Sequence, residues 1–210
     1  MYIPDHFRTP EADVARWLDT LTTGTLITVD PATGRPMGTF LPWVPEAPDR
    51  LTTHIARVNP QATHNGPALI IVMGADAYIP GEWLGPGIAP SWNYETLHLD
   101  GELTCITDPD RIKASWDAMM RRYSAQTLAD LDVEYVDKRI PATTTLEFRI
   151  TAIQAKSKLS QNHTADSARR VADHLEPTCP ALADRMRTVS LPHIAARDER
   201  VRQAVPYQLD

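Results

Sequence analysis

Apolar residues at Val14, Trp17, Leu18 and Leu21 recur at i, i+3, i+4 and i+7, the spacing of one face of an amphipathic helix. Thr9-Pro10-Glu11 opens that helix with a capping hydroxyl, a proline suited to the first turn and a carboxylate at the positive end. Gly24 closes it. The period then shortens to two. Residues 25–29 read as a strand, Asp30-Pro31-Ala32-Thr33-Gly34 as a turn, and residues 37–44 as a returning strand that Pro42 marks as an edge or a bulge. Residues 51–56 form a third strand, and 68–73 are apolar throughout, as in a strand covered on both faces. Residues 80–90, rich in Gly and Pro, read as a long loop with the length of a functional lid.

Residues 94–106 predict a long strand, bent or bulged at Gly101. Asp108-Pro109 caps a second helix that carries Ile112, Trp116, Met119, Met120 and Tyr123 on one face. A shorter helix follows around Leu128, Leu131 and Tyr135, and Thr144, Leu146, Phe148 and Ile150 lie in a last strand of alternating pattern. Residues 164–175 look like a short helix bearing Arg169 and Arg170, and the charged tail beyond Pro177 is broken by Pro180, Pro192 and Pro206. The expected class is mainly β with peripheral helices (α+β), and closure into a barrel would remove the exposed edges. The expected organisation is one domain over 1–175 followed by a helical tail or extension over 176–210.

Composition narrows this only a little. A chain of 210 residues, 42% apolar, suffices for one compact domain with an appendage. No run approaches the roughly 20 apolar residues of a membrane helix, and Met1-Tyr2-Ile3-Pro4-Asp5-His6 lacks a secretory pattern. Two cysteines make neither a disulfide framework nor a metal-ligand set, so a cytoplasmic protein is expected. A formal charge of -6 argues against broad attachment to nucleic acid.

Three segments have chemical potential. His54-Ile55-Ala56-Arg57-Val58-Asn59-Pro60-Gln61 runs from a strand into a turn, and Arg57 offers a fixed fork of donors to an anion. The same residues also read as a polar strand end. Tyr78-Ile79-Pro80 and Ser91-Trp92-Asn93-Tyr94 flank the Gly/Pro loop, where aromatics cover a planar ring or anchor the loop. Lys156-Ser157-Lys158-Leu159-Ser160-Gln161-Asn162-His163 reads as an anion-closing segment or as a solvated loop. His54, His64 and His98 are candidate ligands for a metal or heme iron, or hydrogen-bonded structural residues. Rossmann, P-loop, zinc-protease and nucleophile-elbow motifs are absent from the sequence.

Taken in order, the N-terminal Met1-Tyr2-Ile3-Pro4, His54-Ile55-Ala56-Arg57-Val58-Asn59-Pro60-Gln61, Ser91-Trp92-Asn93-Tyr94, His98 with Gly101, and Lys158-Leu159-Ser160-Gln161-Asn162 resemble the PaiB-like family of FMN-binding proteins over residues 1 to about 175. The resemblance implies a split β-barrel that forms a homodimer with FMN between subunits. It implies that Thr39, His54, Ala56, Arg57, Asn59, Gln61, Trp92, Asn93, Lys158, Ser160, Gln161 and Asn162 bind the cofactor. The implied function is a flavin-dependent oxidoreductase or a redox-linked regulator. Two departures from the family pattern stand out: Pro80-Gly81-Glu82-Trp83-Leu84 replaces a Ser-Pro-Ser-Trp-Tyr segment, and His163 stands where an arginine is common. They admit heme b as an alternative cofactor, with His64, His54 or His98 as ligand, in an enzyme of the piperazate-synthase type acting on N5-hydroxyornithine. A DNA-binding repressor is the third possibility, and the acidic balance gives it little support.

Overall fold

The computed structural model describes residues 1–204. Its strands are β1 Thr23–Val29, β2 Pro36–Pro42, β3 Val44–Ala47, β4 Arg50–Ala56, β5 Gly66–Ile79, β6 Ser91–Ile106 and β7 Thr143–Lys158. They hydrogen-bond in one sheet in the order β2-β1-β5-β6-β7-β4-β3. The sheet thus ends on β2 and β3 instead of closing on itself. Proline guards both ends: Pro36 and Pro42 bound β2, and Pro45 lies within β3. A residue without an N–H cannot extend a ladder outward.

The chain divides into two compact units, with β5, β6 and β7 each passing from one to the other. The first comprises Glu11–Val72 and Leu97–Gln154. It holds α1 Glu11–Asp19, α3 Pro109–Tyr123 and α4 Val133–Arg139; α2 belongs to the other unit. β1 and β2 form a hairpin in register from Thr23↔Pro42 to Val29↔Pro36. The Asp30 carboxylate sets its turn by accepting from the Ala32 N–H and the Thr33 hydroxyl. β4 pairs with β7 from Arg50↔Arg149 to Ala56↔Thr143.

Trp43, Leu51, Leu97, Leu99, Leu146 and Phe148 are fully buried in this unit, and Trp43 meets Phe148 edge-on at 6.2 Å. Gly101 makes that packing possible. A Cβ there would stand 2.3 Å from the Arg149 carbonyl oxygen and 2.5 Å from the Phe148 ring. Gly101→Ala therefore forces backbone and ring apart. The expected cost is about 1–3 kcal/mol in urea unfolding, and an unchanged midpoint would refute this packing.

The second unit comprises Met1–Pro10, Met73–Thr96 and the chain from Ala155 onward. It contains α2 Gly81–Leu84, α5 Ala165–Leu175, α6 Pro180–Arg185 and α7 Leu191–Ala204. Their apolar faces share one core with Ile79 and Leu159, built from Leu84, Ala168, Val171, Leu175, Leu182, Met186 and Ile194 among others. The prolines expected to break the tail act otherwise. Pro180 takes the first helical position of α6, where no N–H is needed. Pro192 is the second residue of α7, directly after a π-turn over Met186–Ser190 that closes with the Leu191 N–H on the Met186 carbonyl, so it sits in a first turn that tolerates a missing N–H. Pro206 lies outside the described residues.

The segment read as a free loop at 80–90 is also different. Its first part is α2, tied down where Ser167 Oγ and Arg170 Nη2 both donate to the Leu84 carbonyl. Only the stretch from Gly85 to Pro90 remains largely exposed. Thr9, read as a helix cap, is buried and hydrogen-bonds Ser157 Oγ at 2.8 Å.

Candidate functional site

In the first unit the candidate residues gather where β4 runs into a 3-10 turn, Pro60–Thr63. Asn59 caps the turn, its Oδ1 accepting from the Gln61 N–H at 2.9 Å. Gln61 is fully buried, and its amide is spent. Thr39 donates to its Oε1, while its Nε2 donates to Thr28 Oγ1 and to the Met37 carbonyl. Thr28 Oγ1 also lies 2.8 Å from His64 Nδ1. Thr28 Oγ1 thus bridges the Gln61 amide and the His64 ring. Thr39 and Gln61, expected at the cofactor, thus hold β1, β2 and the turn together. Thr28 was missed because an alternating strand position with a hydroxyl gives no sequence signal.

Arg57 is different. It is exposed, and one nitrogen, Nη2, donates to the Thr143 carbonyl at 3.0 Å. No other bond of its guanidinium is found among the described residues, so most of its fork faces outward. The Asn59 amide nitrogen is likewise unspent. Ala56, also exposed, contributes backbone only. A fixed cation beside a free amide at a strand end is the donor chemistry an anionic phosphate needs.

His54 lies on β4 under α3, 5.9 Å from Trp116 between ring centroids, and burial pushes its pKa below the ordinary value. His98 is half-buried on β6 and is shifted the same way by burial. His64 is 7% exposed. The three histidines thus occupy separate settings, and no cluster of three or more metal-binding side chains occurs among the described residues.

In the second unit, Lys158 Nζ donates to Ser91 Oγ at 2.5 Å and to the Trp92 carbonyl at 2.6 Å. Burial, and then the neighbouring Lys156 charge, lower its pKa. Trp92 is half exposed, packs edge-on with Tyr78 at 5.9 Å and donates its indole N–H to Asp76. Ser160 has φ +66°, a left-handed turn conformation uncommon outside glycine. Gln161 braces that turn: its Oε1 accepts from the Leu159 N–H and its Nε2 donates to the Ser157 carbonyl. Ser160 donates to Asn93 Oδ1, and Asn93 Nδ2 reaches Met186 Sδ.

Asn93, Ser160 and Gln161 therefore build this turn, whereas Asn162 is exposed and Lys158 keeps one N–H. His163 is half-buried, its pKa lowered by burial and by Lys158. Asp76 is a partner that the sequence did not single out, and Ser91 was quoted only as part of the Ser91-Trp92-Asn93-Tyr94 segment.

Residues 1–152 match the family model described as “Putative FMN-binding domain”. The chain is 27% identical over 188 residues to the protease synthase and sporulation protein PAI 2 of Bacillus subtilis, covering 84% of this chain and 89% of that one. Among solved structures, the FAD and heme binding protein of Mycobacterium smegmatis superposes with a TM-score of 0.56 at 20% identity, covering 73% of this chain and 74% of that one. A conserved hypothetical protein of Mycobacterium tuberculosis does so at 0.55 and 13% identity, covering 75% and 91%. At such identities the likeness is one of fold, and the fold is the split β-barrel.

Proposed function

The chain belongs to this FMN-binding domain family, and on that premise we propose that it binds FMN and works as a flavin-dependent oxidoreductase or redox-linked regulator. The observation that carries the reading is Arg57: an exposed guanidinium with most of its donors unspent, beside the free amide of Asn59. Arg57 would hold the cofactor's phosphate, with Asn59 as a second donor. Thr28, Thr39, Gln61 and His64 would fix the turn that aims them. Bound FMN would supply the electron-transfer chemistry, and the protein its position. Lys158, Trp92 and Asn162 are the second unit's own candidates for contact with cofactor or substrate.

The reading includes a homodimer with equivalent sites. Phe40 and Val58, 69% and 92% exposed, provide apolar surface suited to self-association. No described helix is long and apolar enough to cross a membrane.

Heme b needs an imidazole nitrogen facing iron. His64 is enclosed by its network, and the cavity beside His54 is about 270 Å³, well short of a porphyrin. A piperazate-synthase reaction, left with the half-buried His98 as its candidate ligand, therefore has weaker support than flavin chemistry. A DNA-binding role has less still. Arg169 pairs with Asp166, Arg170 donates to the carbonyls of Trp83 and Leu84, and Arg187 pairs with Asp173 and Glu176.

The visible spectrum of the purified protein, recorded with its molar mass, tests the reading. Flavin bands on a dimer are expected. A Soret band, or a colourless monomer that accepts no FMN, would reject it.

A further inference from the structure

The turn at residues 160–163 carries the exposed Asn162 and is held from a helix far along the chain. It closes where the His163 N–H donates to the Ser160 carbonyl at 3.0 Å. Ser160 adopts a left-handed conformation, which is strained for any residue with a side chain, so the turn needs further bonds to keep its shape. Gln161 supplies two by folding its amide back onto the Leu159 N–H and the Ser157 carbonyl. Two more come from α7. Arg197 Nη1 donates to the Gln161 carbonyl at 2.9 Å, and Nη2 donates to the His163 carbonyl at 3.1 Å. Asp198 Oδ1 accepts from Arg197 Nε at 2.9 Å and from Nη2 at 2.7 Å, which fixes the plane of the guanidinium.

The two carbonyls flank Asn162 in the chain, so one planar fork clasps the backbone around it. A lysine ammonium is a point charge on a flexible stem and lacks the rigid fork that holds both oxygens at once. Asn162 itself is exposed, and its side-chain amide is unspent among the described residues.

We propose that Arg197 is a positioning residue of the cofactor site. By clasping the backbone on both sides of Asn162, it sets where the Asn162 amide meets FMN, and it acts only through that amide. This inference rests on the flavin reading. It makes α7, which lies beyond the residues matched by the family model, part of the site and not of an appendage.

Arg197→Ala, Arg197→Lys, Asn162→Ala and the double variant Arg197→Ala with Asn162→Ala test this in the full chain. In the cofactor-free ¹⁵N-labelled protein, Arg197→Ala should move the amide signals of residues 160–163 and leave those of β1 in place. In flavin fluorescence titration, Asn162→Ala and Arg197→Ala should each weaken FMN binding about 3- to 10-fold, the effect of losing a single hydrogen bond. The double variant should bind no more weakly than Asn162→Ala alone, whereas independent effects would multiply. Arg197→Lys should bind like Arg197→Ala, and it replaces that variant in the cycle if the alanine protein does not fold. A parent chain that binds no FMN overturns the flavin reading and this inference with it. Where the parent binds FMN, three results overturn the inference alone: full affinity in Asn162→Ala or in folded Arg197→Ala, full affinity in Arg197→Lys, or single effects that multiply in the double variant.

Discussion

Replacing Glu95 with alanine is expected to lower the unfolding free energy by about 3 kcal/mol, the low end of what breaking a buried ion pair costs. The Glu95 side chain is 6% exposed and that of Arg185 19%. Arg185 Nε donates to Glu95 Oε2 at 2.8 Å, and Nη2 donates to Oε1 at 3.0 Å. Ser157 Oγ donates to Oε1 at 2.6 Å, so Thr9 must be the donor in its own bond to Ser157. One carboxylate thus links the N-terminal segment, β6, β7 and α6 within the second unit. Removing it leaves a largely buried guanidinium without its carboxylate. Partial exposure of Arg185 keeps the effect at the lower end of the range. Glu95→Leu combined with Arg185→Met should be less damaging than Glu95→Ala, because no largely buried guanidinium then loses its bidentate carboxylate. Urea unfolding followed by circular dichroism measures both. A loss below about 1 kcal/mol for Glu95→Ala would show that the pair does not bear on stability.

Arg57→Ala is expected to weaken FMN binding by about 10- to 100-fold, the worth of a hydrogen-bonded charged contact of about 1.5–3 kcal/mol. Its fold should survive, because the one bond lost within the protein is to the Thr143 carbonyl at the strand end. Arg57→Lys should fall between, since an ammonium keeps the charge but loses the fork. Flavin fluorescence titration with a parallel melting curve separates affinity from stability. Unaltered affinity in a folded Arg57→Ala protein would place the phosphate elsewhere.

Much of the barrel was legible in the sequence because strands announce themselves by alternation. The patterns at 25–29, 51–56 and 144–150 fall within β1, β4 and β7. Their ends were less visible. β5 continues to Ile79 through Gly74, Ala75 and Ala77, which carry too little side chain to show a pattern. β7 continues to Lys158 through Thr151, Gln154 and Lys156, whose polarity reads as loop. α2 has no signature of its own, since four residues beginning with glycine fold there because α5 holds the Leu84 carbonyl. The C-terminal region was expected as a helical tail or extension, but its continuity was obscured by prolines whose tolerated positions depend on the turns around them.

The site was legible as residue types and opaque as valence. Arg57 and Asn59 each keep donors unspent among the described residues, which is what the proposed phosphate contact requires. The roles of Gln61, Asn93, Ser160 and Gln161 turned on partners distant in the chain, such as Thr28 and Met186, or on the shape of a left-handed turn. A local motif shows which groups are present. It does not show which of them have already spent their hydrogen bonds.

The central claim is that this chain holds FMN by its phosphate. Titrating the cofactor-free protein with FMN tests it most directly, with flavin fluorescence and bound stoichiometry read together. Saturable binding of one FMN per chain is expected, with riboflavin, which lacks the phosphate, competing poorly. No saturable binding, or riboflavin binding as tightly as FMN, would contradict it.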